Sequence, residues 1–223
     1  MSQRFDQLGL SPTTLEALRR ARFESPTPIQ ARAIPVALSG KDVIGCAATG
    51  TGKTAAYVLP LVERFRGQKG TRALVLGPTR ELVLQIAEVV RAFAEPHGLR
   101  HAVVIGGEDM GAQVAALRSQ PGFVLATPGR LVDLIASRAA PLSRIEALVL
   151  DEADRMLDMG FRPQLERIFQ ALPRQRQTLL FSATLGPDVT AFARGSLRRP
   201  VKVEVTPSGT PAARARQVLY LVN

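Results

Sequence analysis

The sequence predicts an α/β domain in which a mostly parallel β-sheet is covered by helices on both faces. Two observations predict it. Seven short, β-rich apolar runs recur at 43–46, 73–76, 102–105, 124–126, 147–150, 178–181 and 201–205, and each ends in a loop of glycine or polar residues with helical sequence beyond. Apolar runs without alternation belong to strands buried on both faces, which places them in a parallel sheet between two helical layers with right-handed crossovers. The 223 residues, 46% of them hydrophobic, suit one large domain with a sizeable core.

In such a sheet, ligands bind at the carboxyl ends of the strands. The residues after the runs are Ala47 to Thr54, then Gly77-Pro78-Thr79-Arg80, Gly106-Gly107, Thr127-Pro128-Gly129-Arg130, Asp151-Glu152-Ala153-Asp154 and Ser182-Ala183-Thr184. Six loops carrying chemically special residues are therefore expected to line one edge, while the helices between them read as packing surface.

Taken in order, residues 1–40 read as two short helices joined by a turn. Ser11-Pro12 is a helix start, with Leu15, Leu18 and Ala21 on one face. Ser25-Pro26-Thr27-Pro28 breaks the chain, and 29–34 resumes as helix with Gln30 in its first turn. A glutamine amide offers one donor and one acceptor, matching the exocyclic amine and N7 of adenine, but from residue type alone Gln30 reads as a surface residue.

The loop Ala47-Ala48-Thr49-Gly50-Thr51-Gly52-Lys53-Thr54 stands between a strand and a helix. Its glycines free the backbone to fold amides around an anion, and the helix after it adds unpaired N–H groups and the positive end of its dipole. Nucleotide phosphates fit there, with Lys53 reaching the β and γ phosphates and the Thr54 hydroxyl on Mg²⁺. Such a turn is also found as an ordinary connection, so a second element is needed. Asp151 and Glu152 supply it: one carboxylate can hold Mg²⁺ through water opposite Thr54, and the other can orient and deprotonate a water for in-line transfer. Two acids at a helix start are otherwise a common solvated first turn.

The remaining loops combine hydroxyls, close-approach glycines and arginines, which suits contact with a sugar–phosphate backbone without reading bases. An excess of ten positive charges, mostly arginine, makes polyanions the expected partner, although charge also serves solubility. Aromatic residues are few, so base stacking is not the expected mode. His97 and His101 have no cysteine or carboxylate cluster beside them, and Cys46 reads as core. No apolar run reaches bilayer length and no secretory signal opens the chain, so a soluble, cytoplasmic protein without a membrane partner is expected. Residues 81–94 read as a sheet-covering helix with Leu82, Ile86, Val89, Val90 and Phe93 inward, and 186–199 as a last helix with a basic end. Residues 206–211 look like a linker and 217–222 like a strand left without its continuation, so a fragment of a longer protein is expected.

Together these motifs resemble the DEAD-box RNA helicases of bacterial type, over nearly the whole chain and specifically the first of their two RecA-like domains, a P-loop fold. Phe23 to Gln30 looks like the family's Q motif, with Phe5 as the isolated upstream aromatic. The resemblance implies that Gln30 reads adenine, that Phe5 stacks on it and that Thr27 supports the loop, which overrides the surface reading of Gln30. Ala47 to Thr54 is similar to motif I, Pro78 to Leu82 to motif Ia, Gly106-Gly107 to the glycine pair, Thr127 to Arg130 to motif Ib, Asp151 to Asp154 to motif II and Ser182 to Thr184 to motif III. In the family, the Ia, glycine-pair and Ib loops grip one RNA strand by its backbone, independent of sequence. Motif III, here Ser182 and Thr184 with Asp154 of motif II, links the ATP state to strand separation. Arg22 stands where the Q motif usually has glycine, which puts the local turn in question.

The resemblance divides the chain into 1–40, a helical Q-motif segment of the same domain; 41–206, the ATP-binding RecA-like domain; and 207–223, a linker and first strand of a second RecA-like domain. That second domain supplies arginine fingers in the family, and losing an arginine finger typically costs on the order of 10³ to 10⁵ in rate. The chain alone is expected to be monomeric, to bind ATP or ADP with Mg²⁺, to turn ATP over poorly and to unwind nothing. Two alternatives stand beside an RNA-stimulated ATPase: a basic binding module that uses nucleotide only as a stabilising ligand, and a DNA helicase. Lys53, Asp151 and Glu152 together favour the ATPase, because a pure binder needs no base beside a metal carboxylate.

Overall fold

A computed structural model describes residues 3–205 of the chain. The expected linker at 206–211 and strand at 217–222 lie outside the described residues. Seven strands form one all-parallel sheet: β1 (Val43–Cys46), β2 (Ala73–Leu76), β3 (His101–Val104), β4 (Phe123–Ala126), β5 (Ala147–Leu150), β6 (Gln177–Ser182) and β7 (Val201–Glu204). Their spatial order is β3-β4-β2-β5-β6-β1-β7. The helices are α1 (Pro12–Arg20), α2 (Pro28–Leu38), α3 (Lys53–Phe65), α4 (Arg80–Ala94), α5 (Met110–Arg118), α6 (Pro128–Ala136), α7 (Ala153–Asp158), α8 (Arg162–Ala171) and α9 (Pro187–Ser196).

Because successive residues of a strand point to opposite faces, each central strand feeds two cores. Ala73 and Val75 of β2 pack with α1 to α4, whereas Leu74 and Leu76 pack with α5 to α9. Strands β2, β4, β5 and β6 are buried along their whole length, as continuous apolar runs require. The edge strands differ. Lys202 and Glu204 of β7 are exposed and β3 alternates in burial, so the continuous burial expected for these two runs is corrected. An edge strand has one sheet neighbour, and alternating side chains suffice to cover it.

Ser11 caps α1, its hydroxyl accepting the Thr14 N–H, and Pro12 takes the first helical position. The buried face of α1 is Thr14, Ala17 and Leu18; Ala21, expected inward, is exposed just past the helix end. Arg22 comes next with φ of +59°, in the left-handed region. That is the glycine-like conformation the family pattern implies, occupied here by an arginine at a cost of about 1–2 kcal/mol. The last helix ends at Ser196, leaving Arg198 and Arg199 beyond it.

The strand order divides the carboxyl edge into two neighbourhoods. Loops after β5, β6 and β1 lie side by side, and so do those after β3, β4 and β2.

Candidate active site

In the first neighbourhood, Cys46 at the end of β1 is in register with Ser182 at the end of β6, and the Ala47 N–H donates to the Ser182 carbonyl at 3.1 Å. The loop beyond turns on Gly50 (φ +76°) and Gly52 (φ +86°), conformations that L side chains adopt only with strain. A Cβ on Gly50 would meet nothing within 4 Å, so the mouth of the loop is open space. Thr49 and Gly50 are exposed, Thr51 and Thr54 half-buried, and the Thr51 hydroxyl donates to the Ala48 carbonyl at 2.6 Å. Lys53 opens α3, is only 6% exposed and donates to the Ala47 carbonyl at 2.9 Å, which folds its ammonium across the loop. An ammonium held on one carbonyl keeps two donors for an anion.

Gln30, read from residue type as a surface residue, is 1% exposed. Its Oε1 accepts the Thr27 N–H and its Nε2 donates to the Gly52 carbonyl, each at 3.0 Å. The amide therefore ties the start of α2 to the glycine loop 22 residues away. The Thr27 hydroxyl oxygen beside Gly52 is buried with no hydrogen-bond partner among the described residues. A buried hydroxyl without a partner costs about 1–3 kcal/mol, which a polar ligand atom would offset. Phe5 is 6% exposed, with its ring 6.5 Å from Phe23, which packs edge-on against Phe93 at 5.5 Å. Phe5, Phe23, Leu15, Leu18 and Arg19 line a cavity of about 340 Å³.

Facing the glycine loop, Asp151 stands just after β5 and is 2% exposed. Its Oδ2 accepts the Tyr57 hydroxyl at 2.8 Å and its Oδ1 the Glu152 N–H at 3.0 Å. Burial pushes the Asp151 carboxyl above the usual carboxylate range, against the opposing pull of the Tyr57 hydrogen bond and the Lys53 charge. Burial, with the Asp151 charge second, pushes the Tyr57 hydroxyl well up, so it remains a donor. Tyr57 was missed by sequence reasoning. The available signal was its place one helical turn after Lys53, on the same side of α3. Glu152 sits at φ +52°, a strained conformation for a non-glycine residue of the kind that concentrates at functional sites. Its Oε2 lies 3.4 Å from Arg155.

Asp154 closes this neighbourhood. Its Oδ2 accepts the Ala183 N–H at 3.2 Å, the Thr184 N–H at 2.9 Å and the Thr184 hydroxyl at 3.0 Å, while its own N–H donates to the Ser182 hydroxyl at 3.3 Å. Burial alone would raise the Asp154 carboxyl; the bonds from Thr184 and Ser182 outweigh it and hold the group below the ordinary range. Ser182 is buried and Thr184 exposed. The loops after β5 and β6 are thus joined in one hydrogen-bonded unit.

The second neighbourhood gathers the other three loops. The Gly77 N–H donates to the Ala126 carbonyl and the Thr127 N–H to the Val104 carbonyl, so the ends of β2, β4 and β3 are stitched together. Thr79 caps α4 by accepting the Leu82 N–H; Pro78 and Pro128 are buried, the first just ahead of that cap and the second at the first position of α6. Gly106 is half-buried, and Gly107 (φ +77°) leaves no room for a Cβ beside the Arg80 guanidinium. Gly129 and Arg130 lie in the first turn of α6, both half-buried. Glu108 joins the loops: its carboxylate pairs with Arg80 at 2.9 Å and its carbonyl accepts from Arg130 at 3.0 Å. Sequence reasoning passed over Glu108, whose signal was an acid directly after the glycine pair.

A family model described as DEAD/DEAH box helicase matches residues 27–192. The chain is 46% identical over 206 residues to the probable ATP-dependent RNA helicase ddx27 of Dictyostelium discoideum, covering 90% of the chain and 26% of that protein. It is 43% identical over 222 residues to the ATP-dependent RNA helicase dbp10 of Schizosaccharomyces pombe, covering 98% and 26%. Among solved structures it is similar to a DEAD box protein of Methanococcus jannaschii, with TM-score 0.88 and 35% identity over 91% of this chain and 56% of that one. The RNA-helicase Prp28 of Chaetomium thermophilum bound to ADP matches with TM-score 0.85 and 41% identity, over 92% and 51%. The chain therefore spans about a quarter of the length of these curated relatives and about half of these solved chains.

Proposed function

The chain belongs to the DEAD/DEAH box helicase family, and from that premise we propose that it is the ATP-binding domain of an ATP-dependent RNA helicase, coupling ATP binding and hydrolysis to RNA strand separation in a longer protein. The observation that carries this reading is the meeting of Lys53, Asp151 and Glu152 where the loops after β1 and β5 converge, with Asp154 bonded to the loop after β6.

In this reading Gln30 and Thr27 recognise adenine, with the Phe5 and Phe23 rings alongside. Residues 49–54 wrap the phosphates, and Lys53 exchanges its carbonyl partner for phosphate oxygen. Thr54 and Asp151 would hold Mg²⁺ largely through water; the ion would neutralise charge developing on the phosphates. Asp151 suits that role, being a buried carboxylate kept in one orientation by Tyr57 and the Glu152 N–H. Glu152 orients and deprotonates the attacking water. Asp154, Ser182 and Thr184 carry the state of the site across to β6.

The loops of the second neighbourhood, through Thr79, Arg80, Gly106, Gly107, Thr127, Gly129 and Arg130, take an RNA strand by its phosphates, with Pro78 and Pro128 shaping the turns. A second RecA-like domain completes the groove and brings arginine fingers, with residues 207–223 leading into it. The chain alone then binds adenine nucleotide as a monomer but hydrolyses it slowly. An ADP-bound relative at 41% identity supports the nucleotide assignment. The test is RNA-stimulated ATP hydrolysis by the longer protein with Glu152→Gln: a fall of about 10²-fold or more is expected of a lost general base, and unchanged hydrolysis would overturn the mechanism.

A further inference from the structure

Between residues 160 and 200 the chain carries seven arginines against two carboxylates, half of its formal excess of ten positive charges. Elsewhere about half of the described arginines have acidic partners. Arg19 and Arg20 share Glu16, Arg64 and Arg72 share Glu146, and Arg66, Arg80, Arg91 and Arg155 each pair with a glutamate. Among the described residues of this stretch, only Arg162 has its guanidinium within 4 Å of a carboxylate, Asp188 at 3.8 Å. Arg167, Arg174, Arg194, Arg198 and Arg199 are exposed.

Four of the seven, Arg162, Arg174, Arg176 and Arg198, line a groove between α8 and α9. One part, about 350 Å³, is bounded by Arg162, Glu166, Phe169 and Phe192; through Phe169, Gly195 and Ser196 it continues into a second, of about 200 Å³, walled by Arg174, Arg176, Arg198 and Asp42. Phe169 and Phe192 meet edge-on at 5.6 Å, the Arg176 guanidinium lies over Phe169 at 4.7 Å, and that of Arg162 over Phe192 at 5.9 Å. Stacked guanidinium forks are ordered in advance, so little entropy is lost when they bind. Asp42 is already engaged, one carboxylate oxygen accepting the Thr178 N–H and the other the Arg198 N–H, at 2.8 and 2.7 Å. Asp42 directly precedes β1 and Arg176 directly precedes β6. In a parallel sheet this is the amino-terminal edge, opposite the candidate active site.

We infer that the α8–α9 corner is a second nucleic-acid-binding surface, which holds by its phosphates an RNA segment flanking the one taken at the carboxyl edge. It goes beyond the ATP-driven reading and takes from it only the polymer, RNA. The chemistry favours phosphate over an acidic peptide: every cation is an arginine, whose fork matches phosphate oxygens. Of the apolar anchors a peptide would use, Phe192 is only 6% exposed and Phe169 lies under the Arg176 guanidinium.

The test is a titration of the nucleotide-free chain with a labelled RNA duplex carrying a single-stranded overhang, over a range of salt, for wild type and the double variant Arg174→Glu, Arg198→Glu. Affinity should fall about ten-fold or more, and the slope of log K against log salt should flatten by roughly 1.5 to 2, two phosphate contacts' worth. The milder Arg174→Gln, Arg198→Gln pair should flatten the slope in the same direction even if the reversal impairs folding. Unchanged affinity and slope in the glutamine pair would overturn the inference. So would RNA binding that survives while binding of poly-glutamate is lost, since that marks an acidic protein partner. Failure of the ATP reading would register separately, as absence of ADP binding to wild type.

Discussion

At the β1, β5 and β6 end of the carboxyl edge, Lys53, Asp151 and Ser182 are buried and the loops are bonded to one another, whereas at the β2, β3 and β4 end Arg80 and Gly107 are exposed and the loops share one acidic residue, Glu108. The first region cannot lose a partner without stranding a buried polar group, which costs about 1–3 kcal/mol and more for a charge. The second adds to its backbone bonds only an ion pair about half exposed on both sides, worth about 0.2–1 kcal/mol and screened by salt. One region is organised before its ligand arrives. The other could exchange an internal partner for an external one at small cost, as the proposed grip on an RNA strand requires.

The comparison is broken most directly at Tyr57. Tyr57→Phe removes the hydroxyl that satisfies the buried Asp151 oxygen, and stability should fall by about 2–3 kcal/mol, read as a lowered denaturation midpoint at unchanged m-value. A loss under about 0.5 kcal/mol would place Asp151 in an environment as forgiving as the surface.

Next in size is the link to β6. Thr184→Ala deletes one of the three donors to Asp154 Oδ2 and should cost about 1 kcal/mol. Because the Asp154 carboxyl is held below its ordinary range, its stabilisation is present above the unfolded value and is lost as pH falls through the folded one. Tm measured from neutral pH down through the carboxylate range should therefore drop more steeply for wild type than for Asp154→Asn; parallel curves would contradict the bonding described.

Arg22 tests whether strain beside the nucleotide region is relieved by the residue the family uses. Arg22→Gly should raise stability by roughly 0.5–1 kcal/mol, the left-handed penalty less the entropy cost of glycine. A decrease would mean that the Arg22 side chain has a stabilising role of its own.

The smallest change in stability is expected at the second region. Glu108→Gln should shift stability by less than about 0.5 kcal/mol while strengthening RNA binding at low salt, the gain vanishing as salt rises. A stability loss as large as that of Tyr57→Phe would erase the distinction between the two regions.

Legibility in the sequence divides along the same line. All seven strands and the six loops at their carboxyl ends could be read because apolar runs and turn residues are local signals. The alternating burial of β3 and β7 could not, because it depends on which strands end at the edges of the sheet. Lys53, Asp151 and Glu152 were legible as residue types in a spaced pattern. Tyr57 was not, since its partner lies 94 residues away. Gln30 was misjudged from residue type for the same reason: only the fold brings Gly52 to its amide. Arg22 was legible as a departure from the family pattern, and its left-handed conformation accounts for why that position suits glycine.

The central claim, that the first region is a preformed adenine-nucleotide site, is tested most directly by titrating ADP, ATP and GDP against wild type, Gln30→Ala and Lys53→Ala. Adenine-selective binding to wild type, lost in both variants, is the predicted result. No binding to wild type, or equal binding of the guanine nucleotide, would contradict it.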